Sequence, residues 1–193
     1  MPDPIVIIGA GQAAAALAAR LRGLGYDGPL LILGEEAHAP YQRPPLSKKY
    51  MSGELDIPRL LIRPASWYSE QNIELRLSSP VAEILPREHR VTLAEGSQLR
   101  YAKLALTTGA HPRRLPAAMG GDLAGVFTIR NLADVDALAP VLDPGKNLLV
   151  VGGGYIGLDH AAILHQRTRE APVPAQKLQQ CRGFANDDAM PPM

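Results

Sequence analysis

A glycine-rich loop between two apolar runs constrains the N-terminal region more than any other feature. Residues 5–8 read Ile-Val-Ile-Ile, which is typical of a short strand buried on both faces. GAGQAA follows at 9–14, and the Ala- and Leu-rich stretch after it predicts a helix that ends near Gly25. Leu30–Leu33 predicts a second buried strand. A strand, a helix and a strand joined by short links indicate one βαβ unit with parallel strands.

The loop also has the spacing of a dinucleotide-binding fingerprint. Gly9, Gly11 and Ala14 occupy the positions that permit a tight turn, a close backbone approach to a pyrophosphate, and close packing of helix on strand. The helix N-terminus offers free N–H groups to phosphates. Glu35, just after the second strand, can accept hydrogen bonds from ribose hydroxyls. The alternative is an ordinary glycine turn beside a surface glutamate.

A second glycine loop lies near the C-terminal end. The apolar run at 147–151 predicts a strand, and GGGYIG at 152–157 is a complete GxGxxG that opens a predicted helix. The acid that should follow about 20 residues later is missing, because residues 174–180 read PAQKLQQ. The pattern therefore predicts a second dinucleotide-binding domain that is begun and left incomplete.

The region between the loops is less regular. Residues 38–66 are rich in proline and predict a long ordered loop with room for one short helix. Alternating apolar residues at 73–77 and 91–93 predict antiparallel strands around the loop Pro86–His89. Further strands are predicted at 104–107 and 126–129, and a helix at 132–142. The predicted fold class is α/β, a Rossmann-like domain with a parallel sheet and a small antiparallel insertion.

Composition excludes several classes of function. The chain has 20 Lys+Arg against 19 Asp+Glu, so no basic excess indicates nucleic-acid binding. No run approaches the roughly 18 apolar residues of a membrane span, and no cleavable signal is recognisable, so a cytoplasmic protein without a membrane partner is expected. The single cysteine, Cys181, excludes an internal disulfide and a dithiol redox pair. His160 and His165 do not share a helix face, and no metal site is predicted.

Several longer segments carry a resemblance to a known family. They are PYQRPPLSKKY at 40–50, LLIRPASWY at 60–68, LALTTGAHPRRLP at 104–116, the segment around Arg130, and VVGGGYIGLD at 150–159. The chain resembles the FAD-dependent ferredoxin reductases of bacterial oxygenase systems, the putidaredoxin-reductase-like group. These are glutathione-reductase-type flavoproteins with two dinucleotide-binding domains. The resemblance runs from residue 4 to about residue 163.

The resemblance implies an activity and a set of site residues. The family passes a hydride from NADH to FAD and single electrons from FAD to a [2Fe–2S] ferredoxin. The implied FAD contacts are Gly9, Gly11, Ala13, Ala14, Glu35, Arg43, Lys48, Val81, Thr108, Gly109 and Arg130. The implied NADH loop consists of Gly152, Gly154, Tyr155, Ile156 and Gly157. Lys48 and Asp159 are the implied catalytic pair, a lysine beside the flavin and the carboxylate that orients it.

Departures from the family leave alternatives open. The family has Glu where this chain has Asp159, and after Ala162 the likeness ends. A second hypothesis is therefore a non-enzymatic remnant with weak FAD binding or none. Lys48 can also be a solvated loop lysine, and Arg130 a surface residue that begins a helix. The predicted division is 1–145 for the FAD-binding domain, 146–167 for the start of the NAD-binding domain, and 168–193 for an irregular tail.

Overall fold

The computed structural model describes residues 2–142, 148–152, 154 and 157. Its elements fall into two sheets and four α-helices in this described part of the chain. The strands are β1 (Ile5–Ile8), β2 (Leu30–Leu33), β3 (Ile73–Arg76), β4 (Val81–Leu85), β5 (Arg90–Leu93), β6 (Gln98–Arg100) and β7 (Lys103–Leu106). The helices are α1 (Gln12–Gly23), α2 (Ile57–Leu60), α3 (Ala65–Glu70) and α4 (Leu132–Leu138).

A four-stranded parallel sheet forms the centre of the N-terminal region. Its strand order is β3-β2-β1-β7, and each neighbouring pair is parallel. All four residues of β2 are buried, as its continuous apolar run requires of a strand covered on both faces. Helix α1 connects β1 to β2, which confirms the predicted βαβ unit.

The two faces of the sheet bury different side chains. On one face, Ile7 and Ile32 pack with Ala14 and Ala18 of α1 and with Tyr68 of α3. On the other face, the alternate residues of β1 and β2 pack against apolar side chains of the antiparallel sheet. The residues of β1 and β2 are Val6, Ile8, Leu31 and Leu33, and those of the antiparallel sheet are Val91 and Leu93. Because successive strand residues point to opposite faces, a short apolar strand serves both layers at once.

The antiparallel sheet has the order β4-β5-β6, and the prediction for its first strand was wrong. The loop expected around Pro86–His89 is present, but β4 pairs with β5 across it. β3, predicted as that partner, instead joins the parallel sheet beside β2. Ile73 of β3 is buried while Glu74 is exposed, as in an edge strand with one face on the core. Alternation alone does not separate such an edge strand from a hairpin strand.

Two predicted strands are absent from the described residues. Residues 126–129 carry no strand, and neither do residues 148–151. Val126 and Phe127 are exposed, and Leu149 has 80% of its surface exposed. Apolar β-branched composition predicts burial in a sheet, but a strand also needs a second strand to pair with. Within the described part of the chain, no strand pairs with these residues.

The predicted helix at 132–142 forms in two pieces. Asn131 caps α4 by accepting from the Asp134 N–H, and Asp134 bonds back in a capping box. A 3₁₀ turn over Ala139–Val141 follows α4, where Pro140 cannot continue the α-helical hydrogen bonding. The long loop at 38–66 contains a 3₁₀ helix at Pro44–Ser47 and the short helix α2.

The chain divides into two compact units. The first contains residues up to Arg43 together with Asp56–His111, and it holds both sheets. The second contains Pro44–Leu55 and the residues from Pro112 onward, and it holds α4. Within the described residues, no helix combines the length and apolarity that crossing a bilayer demands.

Candidate functional site

The carboxyl ends of β1, β2 and β7 meet at one edge of the parallel sheet. The Gly9 N–H donates to the Leu33 carbonyl at 2.8 Å, which joins the glycine loop to the end of β2. The Thr107 hydroxyl donates to the carbonyls of Ile8 and Gly9 at 2.9 and 3.1 Å, which joins the end of β7 to the same loop. In open parallel sheets, ligands bind in the crevice outside these carboxyl ends.

Gly9 is required by the fold itself. Its φ of +102° lies in the left-handed region, and a Cβ there would stand 2.3 Å from the Thr107 carbonyl oxygen. A larger residue at position 9 would therefore push the loop away from β7. Thr108 and Gly109, two predicted cofactor contacts, follow Thr107 in the sequence, next to its close contact with Gly9.

Gly11 is different, because no described part of the chain requires it to be glycine. Its φ of −101° and ψ of −166° are extended backbone that any residue adopts. A Cβ built at Gly11 would meet no atom within 4 Å. The backbone at Gly11 is therefore open to a close approach from outside the chain, as the second position of the fingerprint requires.

The start of α1 offers hydrogen-bond donors beside this open space. Among the residues that the structure describes, no side chain caps the helix, and its first turn contains no acid. The first N–H groups of a helix have no partner within the helix, and the helix dipole makes this end attractive to an anion. Ala13 is exposed in the first turn, whereas Ala14 is buried against the sheet, as the third fingerprint position requires.

The segment after β2 brings two further predicted contacts to this edge. The Ser79 N–H donates to the Gly34 carbonyl at 2.7 Å, which holds the chain before β4 beside the end of β2. Gly34 also packs closely, since a Cβ there would lie 2.8 Å from Cβ of Ala10 in the glycine loop. Glu35 is exposed at this position, and Val81 begins β4 directly after the paired segment.

Arg43 lies against a residue that sequence reasoning missed. Its Nη2 donates to Glu36 Oε1 at 2.6 Å, and the Tyr41 hydroxyl donates to Glu36 Oε2 at 2.5 Å. The guanidinium also stacks on the Tyr41 ring, 5.2 Å from its centroid. Two sequence features could have indicated this contact: the acid pair Glu35-Glu36 and the Tyr-x-Arg spacing that ends at Arg43. Only Glu35, however, has the position of the fingerprint acid.

Lys48 and Arg130 belong to the second unit. Lys48 is exposed, and its backbone N–H donates to the Pro45 carbonyl at 2.9 Å. The Arg130 N–H donates to Asp134 Oδ2 at 2.7 Å, so its backbone takes part in starting α4. In the same unit, the Tyr50 hydroxyl donates to Asp136 at 2.8 Å; burial and this hydrogen bond raise the pKa of Tyr50 to about 12.

The second glycine loop is partly described. Gly152 has a φ of +120°, and a Cβ built on Gly157 would stand 2.2 Å from the Gly152 carbonyl oxygen. Gly157 therefore lies so close to the Gly152 carbonyl that only glycine fits at this position. A Cβ built on Gly154 would meet nothing within 4 Å, as at Gly11. Tyr155, Ile156 and Asp159, together with His160, His165 and Cys181, lie outside the described residues.

The open parallel sheet with a glycine loop at its carboxyl edge defines a Rossmann-like dinucleotide-binding domain. The chain matches the pyridine nucleotide-disulphide oxidoreductase family over residues 3–184 and belongs to that family. It is 43% identical over 168 residues to the 5,5'-dehydrodivanillate O-demethylase ferredoxin reductase subunit of Sphingobium sp., covering 87% of this chain and 40% of that protein. It is 42% identical over 161 residues to the biphenyl dioxygenase system ferredoxin–NAD(+) reductase component of Paraburkholderia xenovorans, covering 83% and 39%.

Solved structures agree with these relatives. The fold is similar to that of a chain in the crystal structure of the covalent putidaredoxin reductase–putidaredoxin complex, with a TM-score of 0.78 and 36% identity. That match covers 86% of this chain and 40% of the other. The resemblance inferred from the motifs is confirmed at the level of family and fold. The chain spans about 40% of the length of these relatives.

Proposed function

We propose that this chain supplies the FAD-binding site of an NADH:ferredoxin oxidoreductase. The observation that supports it most is the open space at Gly11, beside the uncapped N-terminus of α1. A pyrophosphate there would accept hydrogen bonds from the first-turn N–H groups and would lie against a backbone with no side chain in its way. Ala13 and Ala14 complete this cradle.

The other predicted contacts are proposed to surround the same cofactor. Glu35 would accept hydrogen bonds from the adenosine ribose, and the backbone of Val81 would contact the adenine end. Thr108 and Gly109 would line the cofactor where β7 ends, and Arg43 would lie toward the pyrophosphate. Bound FAD supplies the redox chemistry, since it accepts a hydride and releases single electrons.

The second unit supplies the proposed NADH contacts. Gly152, Gly154 and Gly157 would hold the NADH phosphates, with Tyr155 and Ile156 between them.

Three further residues are proposed to act on FAD. Lys48 would place a cation beside the flavin, Asp159 would orient that lysine, and Arg130 would lie near the FAD phosphates. The proposed domain division remains 1–145, 146–167 and 168–193.

A ferredoxin is the proposed electron acceptor. Two similar proteins are named as ferredoxin reductases, and one similar structure is a reductase joined to putidaredoxin. A carrier with a [2Fe–2S] cluster fits single-electron transfer from a flavin. We propose that the chain works in the cytoplasm, where such carriers and NADH are available.

A calorimetric titration of the 193-residue chain with FAD tests the proposed cofactor. Gly11→Val should weaken FAD binding at least about tenfold, because a branched side chain would fill the open space. Gly23→Val is the matched control, since a Cβ there also meets nothing within 4 Å but lies at the far end of α1. Equal affinity of the parent and Gly11→Val would overturn the site, and a parent that binds no FAD would overturn the function.

A further inference from the structure

The loop after β2 is held by backbone hydrogen bonds at both of its ends. Near its start, the Gly34 N–H donates to the Arg76 carbonyl at 2.8 Å. Near its end, the Gln42 N–H donates to the Leu60 carbonyl at 2.9 Å, within a short antiparallel bridge of Tyr41 and Leu61. The side chain of the next residue, Arg43, therefore leaves a fixed backbone.

The Glu36 carboxylate fixes the direction that this side chain takes. One carboxylate oxygen accepts from Arg43 Nη2 at 2.6 Å and the other from the Tyr41 hydroxyl at 2.5 Å. Tyr41 is 3% exposed, and the guanidinium stacks on its ring. The side chains of Arg43 and Glu36 are 32% and 26% exposed, so solvent screens this pair only in part. Short charge-assisted bonds to a planar guanidinium restrict its orientation as well as its position.

We propose that Glu36 is a positioning residue: its carboxylate orders the loop of residues 34–43 and presents the guanidinium of Arg43 toward the FAD pyrophosphate. The two neighbouring acids then have separate roles. Glu35 is exposed and would contact the ribose, whereas both oxygens of Glu36 accept hydrogen bonds within the protein. The presentation to FAD rests on the proposed function, but the ordering of the loop does not.

Hydrogen exchange of the chain without FAD tests the ordering. Glu36→Gln keeps an acceptor for Tyr41 but removes the charge that holds Arg43, so amides of residues 37–43 should exchange about threefold faster or more. Glu74→Gln is the matched control, because it removes another Glu–Arg ion pair, at 2.7 Å, from an exposed site on β3. It should leave exchange at 37–43 unchanged. Parent-like protection of this segment in Glu36→Gln would overturn the proposal.

A mutant cycle on FAD affinity tests whether Glu36 acts through Arg43. Glu36→Gln should weaken FAD binding about three- to tenfold in the parent and have no further effect beside Arg43→Ala. Glu35→Gln should weaken binding in both backgrounds, as expected of a direct contact. An equal loss from Glu36→Gln in both backgrounds would overturn the positioning role. A parent that binds no FAD would instead overturn the proposed function, and the exchange measurement would still decide whether Glu36 orders the loop.

Discussion

At the residue scale, the buried hydroxyl of Tyr68 is an unsatisfied polar group. Tyr68 is 1% exposed in the core beneath the parallel sheet, and its hydroxyl has no hydrogen-bond partner among the described residues. Burial raises the pKa of Tyr68 to about 12, against a smaller opposing effect of Arg63. The ring fills the core, and its edge-to-face contact with Trp67 does not involve the hydroxyl.

Removing that hydroxyl should not cost stability. Burying a hydroxyl without a partner is unfavourable by about 1–3 kcal/mol, so Tyr68→Phe should be neutral or up to about 1 kcal/mol more stable in urea unfolding. Tyr41→Phe is the contrasting control, because its hydroxyl donates to Glu36 and its loss should destabilise the chain by about 1–2 kcal/mol. A clear destabilisation by Tyr68→Phe would show that the hydroxyl does have a partner.

Tyr50 gives a prediction for alkaline pH. Its pKa is raised from 10.0 to about 12, so the folded state keeps its proton where an unfolded tyrosine has lost it. This contribution to stability is fully present below pH 10 and is lost as the pH rises toward 12. Urea midpoints should therefore fall more steeply across this range in the parent than in Tyr50→Phe, which isolates Tyr50 from other tyrosines. Identical pH profiles would mean that burial and the bond to Asp136 do not hold the Tyr50 proton in solution.

At the scale of elements, one arginine joins the end of α1 to the corner between α3 and β3. Arg22 donates to four backbone carbonyls, at distances of 2.6–2.9 Å. Two of these acceptors, Tyr26 and Gly28, lie before β2; the other two, Gln71 and Asn72, lie before β3. The guanidinium therefore holds the approaches to two neighbouring strands together.

Replacing this arginine should lower stability through the loss of those carbonyl partners. Arg22→Met keeps the apolar stem but leaves part-buried carbonyls without a donor, so we expect a loss of about 1–3 kcal/mol in urea unfolding. Arg20→Met, on the exposed surface of the same helix, should change stability by less than about 0.5 kcal/mol. Equal effects of the two substitutions would contradict the role assigned to Arg22.

The elements that could be predicted are those that depend on residues close to one another in the sequence. The apolar runs of β1 and β2 and the glycine fingerprint between them depend on neighbours in sequence, and all three are present. The pairing of β3 could not be predicted, because alternation shows that one face is buried but not which strand lies beside it. The contact of Glu36 with Arg43 was equally invisible, since it depends on how the loop at 34–43 folds back.

At the scale of the whole molecule, the chain divides into two compact units. The first unit contains both sheets and the carboxyl edge with Gly9, Gly11, Glu35 and Thr108. The chain spans about 40% of its relatives' length, so activity with NADH and a ferredoxin remains proposed here, whereas FAD binding at this edge can be tested directly.

Hydrogen exchange with and without FAD tests the central claim most directly, because it locates the bound cofactor on the chain. The account predicts that saturating FAD protects the first-turn amides of α1, at residues 12–14, and the segment 107–109 after β7. The turn at Pro86–Glu88, at the opposite end of β4 from Val81, should be unaffected and serves as the internal control. FAD that binds without protecting residues 12–14, or that protects only the second glycine loop at 152–157, would contradict the account.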